Sequence, residues 1–204
     1  YGQKIAASSA ELGIDMSRAL RLPGESTSTY LYITGPDGDM ALAVSDMTIC
    51  ERITPSYLEA HRSLLQNARA VVCDTNIPTE SLLWLAEHCT APLFCDPGST
   101  IKAEKLRSVL GSIHTLKPNR LEAELLSGIP IHGRADVEQA AAKLLETGLQ
   151  RVFISLGGDG MYAATHQESC WMDNLPCRMV NTTGCGDSAM AALVWAYLEG
   201  LSLE

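Results

Sequence analysis

Aromatic residues make up only 5% of this 204-residue chain and charged residues only 19%. With so few rings, the core must come from aliphatic side chains, and the 46% apolar content is enough for a folded domain of ordinary size. That balance argues against disorder. Basic excess is missing too: 15 Lys and Arg face 24 Asp and Glu, for a formal net charge of −9. General nucleic-acid binding needs a basic face and is disfavoured, although a local positive pocket for a phosphorylated ligand is still allowed. No apolar run reaches membrane length, the longest being Ala189 to Leu198, and no signal peptide is visible. A membrane partner is therefore not expected. Seven cysteines are present but no C-x-x-C pair, which removes zinc spacing and a secreted disulfide pattern. Cysteines set in apolar runs, as in Val71-Val72-Cys73 and Leu93-Phe94-Cys95, read as reduced core residues of a cytoplasmic protein. The chain opens on Tyr1-Gly2 and stops at Leu203-Glu204, so truncation at both ends is expected.

Periodicity divides the chain into a short opening and a longer α/β portion. Gln3 to Leu12 reads as a helix stopped by Gly13. Ser28 to Thr34 and Asp39 to Ser45 read as strands flanking Gly35-Pro36-Asp37-Gly38, a β-hairpin turn. Thr54-Pro55 predicts a capped helix running to about Asn67, and Thr79 a cap for the next. Short apolar strands are expected at Ala70 to Cys73, Leu93 to Cys95, His114 to Leu116 and Arg151 to Leu156, with a return strand at Met161 to Ala164. Between them, helices are expected near Ile101 to Leu110, from Asn119 to Ser127, and after a capping box made by Asp136 and Gln139. Repeated βα units imply an α/β fold with a mostly parallel sheet, whose ligands bind at the carboxyl ends of the strands.

Three constellations could carry chemistry. Asn181-Thr182-Thr183-Gly184-Cys185-Gly186-Asp187 opens an apolar helix reaching Glu199. Two glycines let backbone N–H groups turn toward one point at a positive helix end, as an anion hole requires, and Asp187 could take a proton from an attacking hydroxyl. An ordinary helix start explains the same residues. Asn119 followed by Glu122 is either a capping box or a carboxylate near hydrated Mg²⁺. Ser155-Leu156-Gly157-Gly158-Asp159-Gly160 is neither a Walker loop nor a dinucleotide fingerprint; it is a tight hairpin or a turn lying against nucleotide phosphates.

In this order the three motifs resemble the PfkB (ribokinase-like) carbohydrate kinase family, over essentially the whole chain. Within it, Pro23-Gly24-Glu25-Ser26-Thr27-Ser28, Ser45-Asp46-Met47 and the run from His114 to Glu124 are most similar to the members that act on pseudouridine. The resemblance implies a three-layer α/β/α sandwich with a mostly parallel central sheet, residues 24–50 contributing a small β lid. It implies an ATP-dependent kinase acting on a hydroxymethyl group of a small-molecule sugar or nucleoside, and in the narrower form on the 5′-hydroxyl of pseudouridine. Asp187 would be the catalytic base and Gly184, Cys185 and Gly186 the anion hole. Asn119 and Ser155, Leu156, Gly157, Gly158, Asp159 and Gly160 would contact ATP, Glu122 would organise Mg²⁺ indirectly, and Asn76 would touch the substrate. Asn181 and Thr183 match positions that bind a monovalent cation such as K⁺ in some relatives, although many members have Asp where this chain has Asn181. Cys185 stands where the family has Ala or another small residue. A homodimer through the lid is implied as well. The rival expectations are another sugar or nucleoside kinase, such as a ribokinase or adenosine kinase, and a non-catalytic protein that keeps the fold. A nicotinamide-dependent dehydrogenase is disfavoured, because no glycine fingerprint opens a helix after a first strand.

Overall fold

The computed structural model describes residues 1–35, 40–177 and 182–203. The helix α1 (Gly2–Glu11) comes first, then a two-stranded antiparallel sheet of β1 (Thr29–Thr34) and β2 (Met40–Asp46). Leu31 faces Val44 and Ile33 faces Leu42 across this pair, and all four side chains are exposed. Most of the expected turn between the strands, at Gly35-Pro36-Asp37-Gly38, lies outside the described residues.

A second, six-stranded sheet holds the core, in the order β3 (Val71–Asp74), β4 (Leu93–Asp96), β5 (Thr115–Leu116), β6 (Arg151–Ser155), β7 (Met161–Thr165) and β8 (Ser169–Met172). The first four strands run parallel, and β7 and β8 extend the sheet antiparallel. Parallel strands buried on both faces need helices as crossovers. These include α4 (Thr79–His88), α6 (Arg120–Ser127) and α7 (Arg134–Leu145). Val137, Ala140, Ala141, Leu144 and Leu145 form the buried stripe of α7, which meets β6 and β7. Fully burying a leucine such as Leu144 contributes about 2 kcal/mol, so its truncation to Ala should cost about 3 kcal/mol once the cavity is included.

Several expectations give way locally. The helix opened by Thr54 is two short ones, α2 (Pro55–Ala60) and α3 (Arg62–Asn67), because the backbone leaves helical geometry at His61, with φ −112 and ψ 14. Thr54 still accepts from Tyr57 N–H as a cap should. Pro78, not Thr79, occupies the N-cap of α4. The helix expected over 101–110 shrinks to α5 (Thr100–Ala103) followed by 3-10 turns at Glu104–Leu106 and Leu110–Ser112. Asp136 is the third residue of α7 rather than its cap, reaching back to the N–H groups of His132 and Gly133 at 2.8 and 3.0 Å. Cys177 and Cys185 are exposed, not core, and the cysteines are free thiols. No helix of the described residues is long and apolar enough to cross a membrane.

Candidate active site

The carboxyl ends of the parallel strands carry nearly every candidate residue. Asp74 ends β3, Asp96 ends β4, Lys117 follows β5 and Ser155 ends β6. Opposite them stands the N-terminus of the final helix, α8 (Cys185–Leu198).

Lys117 and Asp96 bind each other here at 2.9 Å, with the lysine side chain 6% exposed. A charge that deep needs its partner, since an unpaired buried ammonium would be expensive. Gly186 sits against this pair: a Cβ on it would stand 3.5 Å from Lys117 Nζ and 3.9 Å from Asp96 Oδ2. The N-terminal end of α8 therefore lies beside the Lys117–Asp96 pair, and a helix N-terminus attracts anions. Gly184 caps the helix with φ +81, a conformation that favours glycine. Cys185 N–H is turned back to Thr182 O at 3.2 Å. Its amide is thus engaged locally, and among the described residues the Gly184 and Gly186 N–H groups show no such bond. Asp187 lies exposed in the first turn of α8, away from packed side chains. Thr183 is exposed just before the cap, and Asn181 lies outside the described residues.

Asn119 and Glu122 form a reciprocal capping box, each side chain accepting from the other's N–H at 2.9 Å. The capping reading is thus correct, yet Glu122 is also 3% exposed and close enough to Asp96 and Lys117 to feel both charges. Burial, above all, pushes its carboxyl up from the usual range; Asp96 adds to the rise, while the Asn119 N–H and Lys117 oppose it.

Ser155 binds beside Asn119, with Ser155 N–H donating to Pro118 O at 3.0 Å. The turn after it closes through Leu156 N–H to Gly160 O at 2.9 Å. Gly160, at φ +87, has no room for a side chain, because a Cβ would fall 2.1 Å from Met172 O. The hairpin therefore does require this glycine. Gly157, at φ +61, and Gly158 face open space. Asn119, Leu121, Ser155, Leu156, Gly157 and Asp159, together with Arg120, line a cavity of about 380 Å³. A neighbouring cavity of about 510 Å³ shares Arg120, Leu156 and Asp159 and reaches Gly158, Arg134 and Trp171. Neither cavity includes residues 184–187. Asn76, beyond β3, is held between Asp74 and Lys102.

Among the described residues no group of three His, Cys, Asp or Glu side chains could hold a metal ion. A metal caged by the protein alone does not fit. A hydrated Mg²⁺ carried mainly by phosphate oxygens does, because it asks for only one or two carboxylates, and Glu122 has its Oε1 outside the capping box.

The sequence reading did not single out Asp96, Lys102 or Lys117 as site residues. The available signal was a lysine and an aspartate placed directly after buried apolar strands, where each needs a counter-charge.

A model of the pfkB family carbohydrate kinases matches residues 1–204. Pseudouridine kinase from Escherichia coli (strain K12) is 41% identical over 98% of this chain and 65% of its own length. YeiI, an uncharacterized sugar kinase of the same strain, is 36% identical over 100% of this chain and 57% of its own length. The chain thus spans less than two thirds of these relatives. Among solved structures, Thermotoga maritima ribokinase superposes with a TM-score of 0.84 at 21% identity, over 99% of this chain and 65% of that one. Arabidopsis thaliana ribokinase, complexed with ribose and ATP, gives 0.74 at 26% identity, over 88% and 59%.

Proposed function

The chain belongs to the pfkB family of carbohydrate kinases, and on that premise we propose that the protein transfers the γ-phosphoryl group of ATP to the 5′-hydroxyl of pseudouridine. The observation that carries this reading is the meeting of Gly186 with the Lys117–Asp96 pair at the strand ends. A helix N-terminus beside a buried cation suits a migrating phosphate, for which positioning and electrostatics do most of the work.

In the proposed reaction Asp187 accepts the proton of the 5′-hydroxyl. The oxygen forms its bond to the γ-phosphorus as the bond from phosphorus to the bridging oxygen breaks, and ADP leaves. The amides of Gly184 and Gly186 hold the equatorial oxygens, with Lys117 behind them. Cys185 contributes its place in the turn rather than its N–H. Asn119 and the turn Ser155 to Gly160 bind the nucleotide along the 380 Å³ cavity. Mg²⁺ would neutralise the phosphate charge, with Glu122 reaching it through water. Thr183, together with Asn181, is the proposed place for a monovalent cation such as K⁺. The β1–β2 sheet, within residues 24–50, serves as the lid that excludes water. Its exposed Leu31, Ile33, Leu42 and Val44 are the proposed homodimer face.

The pseudouridine assignment rests on the 41% identity to pseudouridine kinase. A second reading, another sugar or nucleoside kinase, is favoured by the 36% identity to a sugar kinase. Assaying ATP-dependent phosphorylation of pseudouridine, uridine, adenosine, ribose and fructose by the full-length polypeptide separates them. Pseudouridine should be the best acceptor by kcat/KM; equal rates with ribose would defeat the narrower assignment.

A further inference from the structure

At the carboxyl end of β3 a side-chain amide is held between two opposite charges. Asp74 Oδ1 accepts from the backbone N–H of Asn76 at 2.8 Å, and Asp74 Oδ2 accepts from its Nδ2 at 2.6 Å. From the other side Lys102, on α5, donates from Nζ to Asn76 Oδ1 at 2.5 Å. Both ends of an asparagine amide have the same shape, so sterics alone leave its orientation open. Here a half-turn of the amide would set its NH₂ against an ammonium and its oxygen against a carboxylate. Two charge-assisted bonds would become two repulsions, so the orientation has one answer.

The surrounding backbone is pinned in the same way. Lys105 Nζ donates to the carbonyls of Thr75 and Ile77 at 2.9 and 3.0 Å, on both sides of Asn76. Buried Thr75 ties this loop to the next strand end through Pro97 O. The group also lies near the root of the β1–β2 sheet: Cys50, in the turn after β2, has its thiol pushed up by burial and then by Asp74, and lowered by Lys102. What the arrangement leaves available on Asn76 is one N–H and one oxygen lone pair, a complementary couple for hydroxyl groups.

We propose that Lys102 is a positioning residue for the acceptor: it fixes the Asn76 amide so that its remaining donor and acceptor meet the acceptor's hydroxyls. The proposal rests on the reading that Asn76 contacts the acceptor. Lys102 is then a determinant of acceptor affinity, with no part in nucleotide binding.

The test compares Lys102→Met, Lys102→Arg and Asn76→Ala in the full-length polypeptide, measuring acceptor KM and ATP KM separately. Lys102→Met should raise acceptor KM about tenfold, the scale of one lost charge-assisted bond, and leave ATP KM within about twofold. Lys102→Arg keeps a donor for Asn76 Oδ1 and should recover most of that loss, which a merely structural role would not produce. If Asn76→Ala raises acceptor KM while Lys102→Met leaves it unchanged, the positioning role is wrong and the Asn76 contact stands. If Asn76→Ala itself leaves acceptor KM unchanged, the underlying reading of Asn76 fails. A Lys102→Met enzyme with both KM values raised equally also overturns the proposal. Should the Met variant not fold, Lys102→Arg with an acceptor KM as high as that of Asn76→Ala decides against it.

Discussion

Lys117 holds its ammonium 3.5 Å from the point where a side chain on Gly186 would begin. The two residues are far apart in sequence, one after β5 and the other in the first turn of α8, and the fold alone brings them together. Gly186 has an ordinary backbone conformation, and a Cβ would make only normal van der Waals contact. The fold therefore tolerates a side chain there, whereas the proposed phosphate does not. Gly186→Ala should leave the melting temperature close to that of the parent and lower kcat about a hundredfold, because its Cβ would stand in the proposed phosphate's place and keep the anion off the amide donors. Circular dichroism melting and steady-state assays measure the two effects.

Gly160 should behave in the opposite way. Its positive φ and the carbonyl of Met172, 2.1 Å from where a Cβ would fall, leave an alanine no place. Gly160→Ala should cost about 3 kcal/mol through backbone strain and overpacking, read as a lower urea midpoint.

Removing the ammonium of Lys117 strands Asp96. Lys117→Met should destabilise the protein by about 3 kcal/mol in urea unfolding, the scale for breaking a buried ion pair from one side. The surface pair of Arg62 and Glu59 offers the control, since its loss in water should leave the urea midpoint nearly unchanged.

Glu122 gives a pH signature. Burial raises its carboxyl above the ordinary 4.5, so the folded state holds that proton more tightly than the unfolded chain. Stability from this group is then present at low pH and declines as pH climbs from about 4.5 through the raised value. Glu122→Gln keeps an oxygen for the Asn119 N–H and has nothing to titrate. Its stability advantage over the parent should grow across that window and then level off, as urea midpoints measured at several pH values would show.

Local chemistry was the most legible part of the chain. Asn119 with Glu122, the Thr54-Pro55 start and the Gly184 cap each act through neighbours within four residues, so spacing alone exposes them. The parallel core strands were visible as short apolar runs between helical patterns. β8 was not, because Ser169–Met172 is only partly buried and pairs with β7 at one edge of the sheet. The break at His61 and the short α5 escaped for another reason: periodicity marks an apolar face and does not report where the backbone leaves helical φ and ψ. Within the site, the glycine motifs were readable, but the Lys117–Asp96 and Lys102–Asn76 contacts join different βα units, and no local pattern announces them.

Asp187 is the residue on which the chemical reading turns, exposed in the first turn of α8 next to Gly186. The decisive measurement is turnover and nucleotide affinity for Asp187→Asn in the full-length polypeptide. Loss of the proposed proton acceptor should lower kcat by about a thousandfold and leave the ATP dissociation constant within about twofold. A variant that still turns over at near the parent rate would contradict the account.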